Sequence, residues 1–137
     1  MQKVQILDTQ ITDISMEEAL ERAEELIISG KGGKIFTPNA TMLENAKKDA
    51  EFSKILNSSS LSLCDGIGAS IASFILGKGI IRRICGVEFG ERLARLCAEK
   101  GYSLYLLGGE TGIAERAARN LIKRYPDLKI AGTHGGF

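Results

Sequence analysis

The sequence predicts an α/β domain: a Rossmann-like, three-layer arrangement around a mostly parallel sheet, held in a single domain over residues 1–137. Two observations predict it. Short apolar segments of strand length alternate with segments of helical periodicity, and parallel neighbours need a crossover, for which a helix is the usual choice. The turns after the strands are rich in glycine, proline, asparagine and aspartate, at "TPN", "DGIG", "GGETG" and "GTHGG", as loops at the carboxyl edge of such a sheet should be. A chain of this size can also bury a real core, about two-thirds of its unfolded surface.

"KVQIL" opens the chain as a short strand, followed by the helix "SMEEALERAEELIISG". Ser15 and Glu18 stand at capping-box spacing, Met16, Ala19, Leu20, Ala23, Leu26 and Ile27 form the apolar stripe, and Gly30 is the stop. "KGGKIFT" is a strand through Thr37, broken by Pro38, after which Asn39 can cap a helix carrying Met42, Leu43 and Ala46. "AEFSKIL" is a second short helix. Residues 60–64 read as a strand, and the stretch from Asp65 to Leu76 as the start of the next helix. A further helix places Val87, Phe89, Leu93, Leu96 and Cys97 on one side and ends at Gly101. "YSLYLLGG" is the clearest strand, "ETGIAERAARNLIKRYP" keeps helical spacing through Ile113, Ala117, Leu121 and Ile122, and "LKIAGTHGGF" is a last strand cut short by the end of the chain.

Composition narrows the partners. Eighteen basic and seventeen acidic side chains give a net charge of +1, so no long-range field favours nucleic acid or an anionic membrane. Cys64, Cys85 and Cys97 are odd in number, lack CxxC spacing and have only His134 as a further soft ligand. Neither a disulfide framework nor a zinc site is supported, and a reducing cytosol fits best. No signal-like segment opens the chain, and no window approaches the roughly 20 apolar residues of a membrane span.

In the expected sheet, residues 37–39, 65–68, 108–111 and 132–135 all follow strands and should converge on one crevice. Taken singly, each loop is also what a tight turn or a helix cap looks like. "GIGASI" supplies G-x-G but places Ile71 where a dinucleotide fingerprint needs glycine or alanine. "LLGGETG" is the better phosphate cradle, because Gly108 and Gly109 clear the approach to the free N–H groups of the next helix. Walker, zinc-ligand and Ser-His-Asp patterns are absent, so no metal site is expected, and His134 reads as a loop histidine. An NAD-type oxidoreductase module and a non-catalytic nucleotide-binding domain stay open as alternatives.

"TPNATML", "LCDGIG", "RRICGVEF", "YLLGG" and "IAGTHGGF" stand in the order and intervals of the WecG/TagA/CpsF family, glycosyltransferase family 26, which the chain resembles from Val4 to Phe137. The resemblance implies transfer of an N-acetylmannosamine-type sugar from a UDP-sugar to a polyprenyl-diphosphate-linked N-acetylglucosamine, in the synthesis of teichoic acid linkage units or other surface polysaccharides. It puts the catalytic base on Asp65, pocket-lining positions on Thr37 and Asn39 and an arginine on Arg83, and the loop reading adds Gly66, Gly108, Gly109 and Gly132 as substrate-binding positions. An acceptor hydroxyl is a poor nucleophile until a positioned base takes its proton. With no Asp-x-Asp motif, backbone N–H groups and an arginine are left to stabilise departing UDP, so an inverting, metal-independent transfer without a cofactor is implied.

Family members continue beyond the "GTHGG" segment through the rest of the sheet and a basic appendage that docks on the membrane. The 137 residues are therefore expected to be incomplete at the C-terminus, to self-associate as a homo-oligomer, and to show little transfer alone. The implied location is the inner face of the cell membrane, peripherally bound, with no nucleic-acid partner.

Overall fold

The computed structural model describes residues 2–137 as mixed α/β, with six helices and three two-stranded sheets. The chain divides into two compact units, one ending at Phe89 and the other Gly90–Phe137.

The first unit begins with strands β1 (Gln2–Ile6) and β2 (Thr9–Asp13), paired antiparallel with Val4 opposite Ile11 and Ile6 opposite Thr9. Sequence reading expected only the first strand, and a mostly parallel sheet. The two-residue turn lacks the usual Asn-Gly signal, and Leu7 takes φ 50° in it, a conformation costing an L-residue about 1 kcal/mol. Distant groups hold the turn. Asn57 donates through Nδ2 to the Asp8 carbonyl at 2.7 Å and accepts the Gln10 N–H at 2.9 Å. Ile6 and Ile11 are fully buried beneath it, each worth about 1.5–3 kcal/mol.

Helix α1 (Met16–Ser29) has its full capping box: Glu18 N–H donates to Ser15 Oγ at 3.2 Å, and Ser15 N–H donates to Glu18 Oε2 at 2.8 Å. Gly30 ends it in the left-handed conformation. Of the expected stripe, Ala19 and Ala23 are buried while Ile27 lies exposed. Strand β3 (Ile35–Phe36) leads through residues 37–39 into α2 (Ala40–Lys48), then α3 (Ala50–Asn57), and returns as β4 (Leu61–Ser62), parallel to β3. A single parallel bridge, Thr12 to Leu63, joins β4 to the hairpin. Helix α4 (Ile67–Ile75) lays Ala69 on the core of Val4, Ile6, Ile11, Leu43, Cys64 and Ile81.

Helix α5 (Gly86–Lys100) crosses the division between the units. Phe89, Ala94 and Cys97 are buried, but Val87 is 81% exposed rather than on the expected stripe. In the second unit, β5 (Ser103–Leu107) and β6 (Lys129–His134) pair in parallel, linked by α6 (Ile113–Arg124). Their core joins Ala94, Cys97 and Leu128 to Leu104, Leu121 and Ile130. Ala114 and Ala118 form the buried seam of α6, whereas Ile113 and Ile122, expected inward, are exposed: alanine lets the helix axis approach the strands closely, and the larger side chains flank the contact. Register slips once, so that Ile130 pairs with Leu104 but Gly132 with Tyr105, leaving Ala131 as a bulge.

The strands thus pair as one antiparallel and two parallel pairs. The expected single, mostly parallel sheet in a Rossmann-like three-layer domain is not what the described residues form: their strands make three separate two-stranded sheets, two of them parallel, and the antiparallel hairpin was not expected.

Candidate active site

Parallel pairing carries on past β3 and β4 and sets the site. Leu63 N–H donates to the Phe36 carbonyl at 2.8 Å and Asp65 N–H to the Pro38 carbonyl at 3.1 Å, which brings the two loops side by side. Asp65 is half-buried there, and its Oδ2 accepts the N–H of Gly86, the first residue of α5, at 3.2 Å. A Cβ on Gly86 would lie 2.9 Å from Thr37 Oγ1 and 3.0 Å from Asp65 Oδ2. Thr37, Asp65 and Gly86 therefore surround one small space.

Helix starts crowd around it. Asn39 accepts the Met42 N–H at 3.0 Å and so caps α2, which occupies its carbonyl oxygen. Gly66, at φ 82°, precedes α4 without a side-chain cap, and a Cβ on Gly68 would meet the Ala40 Cβ at 3.0 Å. The first turns of α2 and α4 are in close approach, and both bring the positive end of a helix dipole there, a setting suited to an anionic ligand.

The two adjacent arginines differ. Arg82 bonds Asp13 through its backbone N–H at 3.0 Å and its Nε at 3.1 Å, and lies 3.6 Å from Glu18. Arg83 is exposed and has no ion pair among the described residues. Its segment is anchored by the Ile84 N–H, which donates to the Cys64 carbonyl at 2.9 Å. Burial, then the nearby Asp65 and Asp13 carboxylates, push the Cys64 thiol above its ordinary range, with Arg83 opposing; the thiol stays protonated and acts as a small core side chain.

The remaining site positions gather in the second unit. Gly108 N–H donates to the His134 carbonyl at 2.9 Å, and Gly136 N–H to the Gly109 carbonyl at 2.7 Å. Gly108 and Gly109 take φ 134° and 76°, which side-chain-bearing residues rarely adopt, so these two turns form a joined glycine surface. Gly132 stands apart from it. Strand β6 runs on to His134, and Gly132 lies within the strand, where a Cβ would come within 2.6 Å of the Tyr105 ring. The loop expected from residue 132 begins after His134.

Sequence reasoning placed Thr37, Asn39, Asp65 and Gly66 on neighbouring loops, and in the structure the Asp65 N–H bonds the Pro38 carbonyl between them. It missed the part played by Gly86, whose only signal is the "CG" pair after the arginines, and the Pro38 carbonyl. Among the described residues no cluster of three or more His, Cys, Asp or Glu side chains is arranged to hold a metal ion, and no helix is long and apolar enough to cross a membrane.

Residues 4–137 match the family described as Glycosyl transferase WecG/TagA/CpsF family. An N-acetylglucosaminyldiphosphoundecaprenol N-acetyl-beta-D-mannosaminyltransferase of Bacillus subtilis is 28% identical over 106 residues, 77% of this chain and 41% of that protein. A protein of the same name from Bacillus spizizenii is 25% identical over 107 residues, 78% of this chain and 42% of that protein. The matched region thus spans well under half the length of these curated relatives.

Proposed function

Because the chain belongs to the WecG/TagA/CpsF glycosyltransferase family, we propose that it forms the nucleotide-sugar part of an N-acetylmannosaminyltransferase. The donor is a UDP-sugar and the acceptor a polyprenyl-diphosphate-linked N-acetylglucosamine, as the names of the relatives suggest; teichoic acid linkage or a similar surface polysaccharide is the product class. The work is done at the inner membrane face, and self-association through the open edges of the two-stranded β5–β6 sheet belongs to the same reading.

The observation that carries the mechanism is the hold of Gly86 on Asp65. One carboxylate oxygen is fixed by the backbone, which orients the other for the acceptor. The acceptor O–H gives its proton to Asp65 as its oxygen bonds to C1 of the donor sugar. The bond from C1 to the UDP oxygen breaks on the opposite side, and UDP leaves with the electron pair. A single displacement of this kind inverts C1 and needs no second carboxylate. Arg83 takes up charge developing on the diphosphate; the glycine turn of Gly108 and Gly109, in the second unit, belongs to the reading as a phosphate-binding surface in its own right. Thr37 and Asn39 line the sugar side, with Gly66 allowing close backbone approach; Gly132, inside β6 against the Tyr105 ring, has no part in it.

Calorimetric titration tests the reading. UDP and UDP-N-acetylglucosamine should bind the purified chain and NAD should not; binding of NAD with UDP silent would overturn it.

A further inference from the structure

The run of chain that carries Arg83 is bonded at every second residue. Arg82 N–H donates to Asp13 Oδ1 at 3.0 Å, Ile84 N–H to the Cys64 carbonyl at 2.9 Å, and Gly86 N–H to Asp65 Oδ2 at 3.2 Å. The run is thus tied by a carboxylate at each end, Asp13 at its start and Asp65 at its finish. Ile81 and Ile84 are buried, which sets how deep the run lies. Apolar contact has no direction, so the hydrogen bonds decide how its peptide planes are turned, and with them the Cα–Cβ bond of Arg83.

Asp13 is well placed for this. It is the last residue of β2, next to Thr12, whose parallel bridge to Leu63 joins the hairpin to β4. Its side chain is only 22% exposed, and a carboxylate sheltered from water makes a stronger bond to an N–H than a neutral acceptor does. The same Oδ1 accepts Arg82 Nε–H at 3.1 Å, so Asp13 is occupied by Arg82 alone among the bonds described for its carboxylate. We infer that Asp13 is a positioning residue of the site: through the backbone N–H of Arg82 it sets the start of the run that turns Arg83 and delivers Gly86 to Asp65. The acting bond is the one to the backbone, and the ion pair to the Arg82 guanidinium is an accessory. The consequence for catalysis rests on the transferase reading, in which Arg83 meets the diphosphate and Asp65 is the base.

Three variants separate the backbone bond from the ion pair. Asp13→Ala removes both, Asp13→Asn keeps an oxygen for the Arg82 N–H and loses the charge, and Arg82→Ala keeps the backbone N–H and loses the guanidinium. Amide hydrogen exchange of the purified chain, read at Ile84 and Gly86, is expected to quicken about tenfold in Asp13→Ala and to stay near the parent's in the other two. UDP affinity by calorimetry should follow the same order, about tenfold weaker in Asp13→Ala only, while Tm falls in all three. If Asp13→Ala does not fold, Asp13→Ser, whose hydroxyl stands one bond short of the carboxylate oxygen, takes its place. Unchanged exchange in the variant without the acceptor overturns the inference. So do exchange and affinity that merely track Tm across the three, which would leave Asp13 a partner in an ion pair and nothing more. Exchange as expected with UDP silent in the parent supports the tether and removes the transferase role.

Discussion

Asp65 and Gly86 lie twenty-one residues apart in the chain, and the carboxylate of one accepts the backbone N–H of the other at 3.2 Å. The bond gives Asp65 a fixed orientation and α5 a side-chain partner at its first residue. Asp65→Asn retains an oxygen that can accept this N–H but cannot serve as the base. Turnover should fall by about 10² to 10⁴, with UDP affinity nearly unchanged, in a transfer assay paired with calorimetry. Asp65→Ala should in addition cost about 1–3 kcal/mol of stability, because the N–H is left without a partner. Unchanged turnover in Asp65→Asn removes Asp65 from the chemistry.

Gly86→Ala tests the tightness of the site without touching a functional group. A Cβ would lie 2.9 Å from Thr37 Oγ1 and 3.0 Å from Asp65 Oδ2, so both side chains must shift. Gly86 is the first residue of α5 and alanine suits a helix, so the backbone itself should tolerate the change. Turnover is expected to fall at least tenfold while Tm moves little, since a displacement of about 1 Å at a reacting group can cost 10²-fold. A parallel loss of Tm and activity would make Gly86 a packing residue only.

Arg82 and Arg83 should separate cleanly. Arg83→Ala is expected to weaken UDP binding by about 1.5–3 kcal/mol, the scale of a charge-assisted hydrogen bond. Arg82→Ala, which loses the Asp13 and Glu18 partners, should lower Tm modestly and leave UDP affinity as it was. Calorimetry on both variants decides; equal UDP affinity in Arg83→Ala and the parent would make Arg83 a solvated surface residue.

Stability should decline in alkaline solution through the buried thiols. Burial raises both Cys64 and Cys97 above the ordinary 9.0. Between the unfolded and folded values the unfolded chain has released protons that the folded chain keeps, so the stabilisation is full below about pH 9 and is lost as pH rises through the folded values. Unfolding midpoints measured from neutral pH to about pH 10 should fall, and Cys64→Ala/Cys97→Ala should flatten that slope even though it lowers the starting value. An identical slope in parent and variant would assign the decline to other groups.

The first hairpin should respond oppositely at its two ends. Leu7→Asn places a residue tolerant of positive φ in an exposed turn and should stabilise by about 0.5–1 kcal/mol. Asn57→Ala removes the hydrogen bonds to Asp8 and Gln10 and should cost about 1–3 kcal/mol in chemical denaturation.

Legibility in the sequence followed the range of the interactions. Helix α1 could be read because Ser15, Glu18 and Gly30 bond within their own helix. The nearness of Thr37 to Asp65 could be read because both follow strands that a helical crossover makes parallel. The β1–β2 hairpin could not, since its turn depends on Asn57, far along the chain. The same holds for Gly86, whose partner Asp65 shares no local period with it. In α6 the apolar period was visible, but its inward phase was not: Ala114 and Ala118 were chosen by closeness of packing, and the bulkier Ile113 and Ile122 were left outside.

The bulge at Ala131 acts as a change of parity. Paired residues of parallel strands share a face, so Thr133, opposite Leu106, turns to the helix side, and His134, opposite exposed Leu107, turns away. An uninterrupted ladder would exchange the two. The extra residue thereby decides which of them, the hydroxyl or the imidazole, stands on the open face where β6 runs into the glycine turn: pairing Ala131 with Tyr105 would swap the chemistry presented there, whereas deleting Ala131 removes the bulge and leaves Thr133 opposite Leu106 and His134 opposite Leu107.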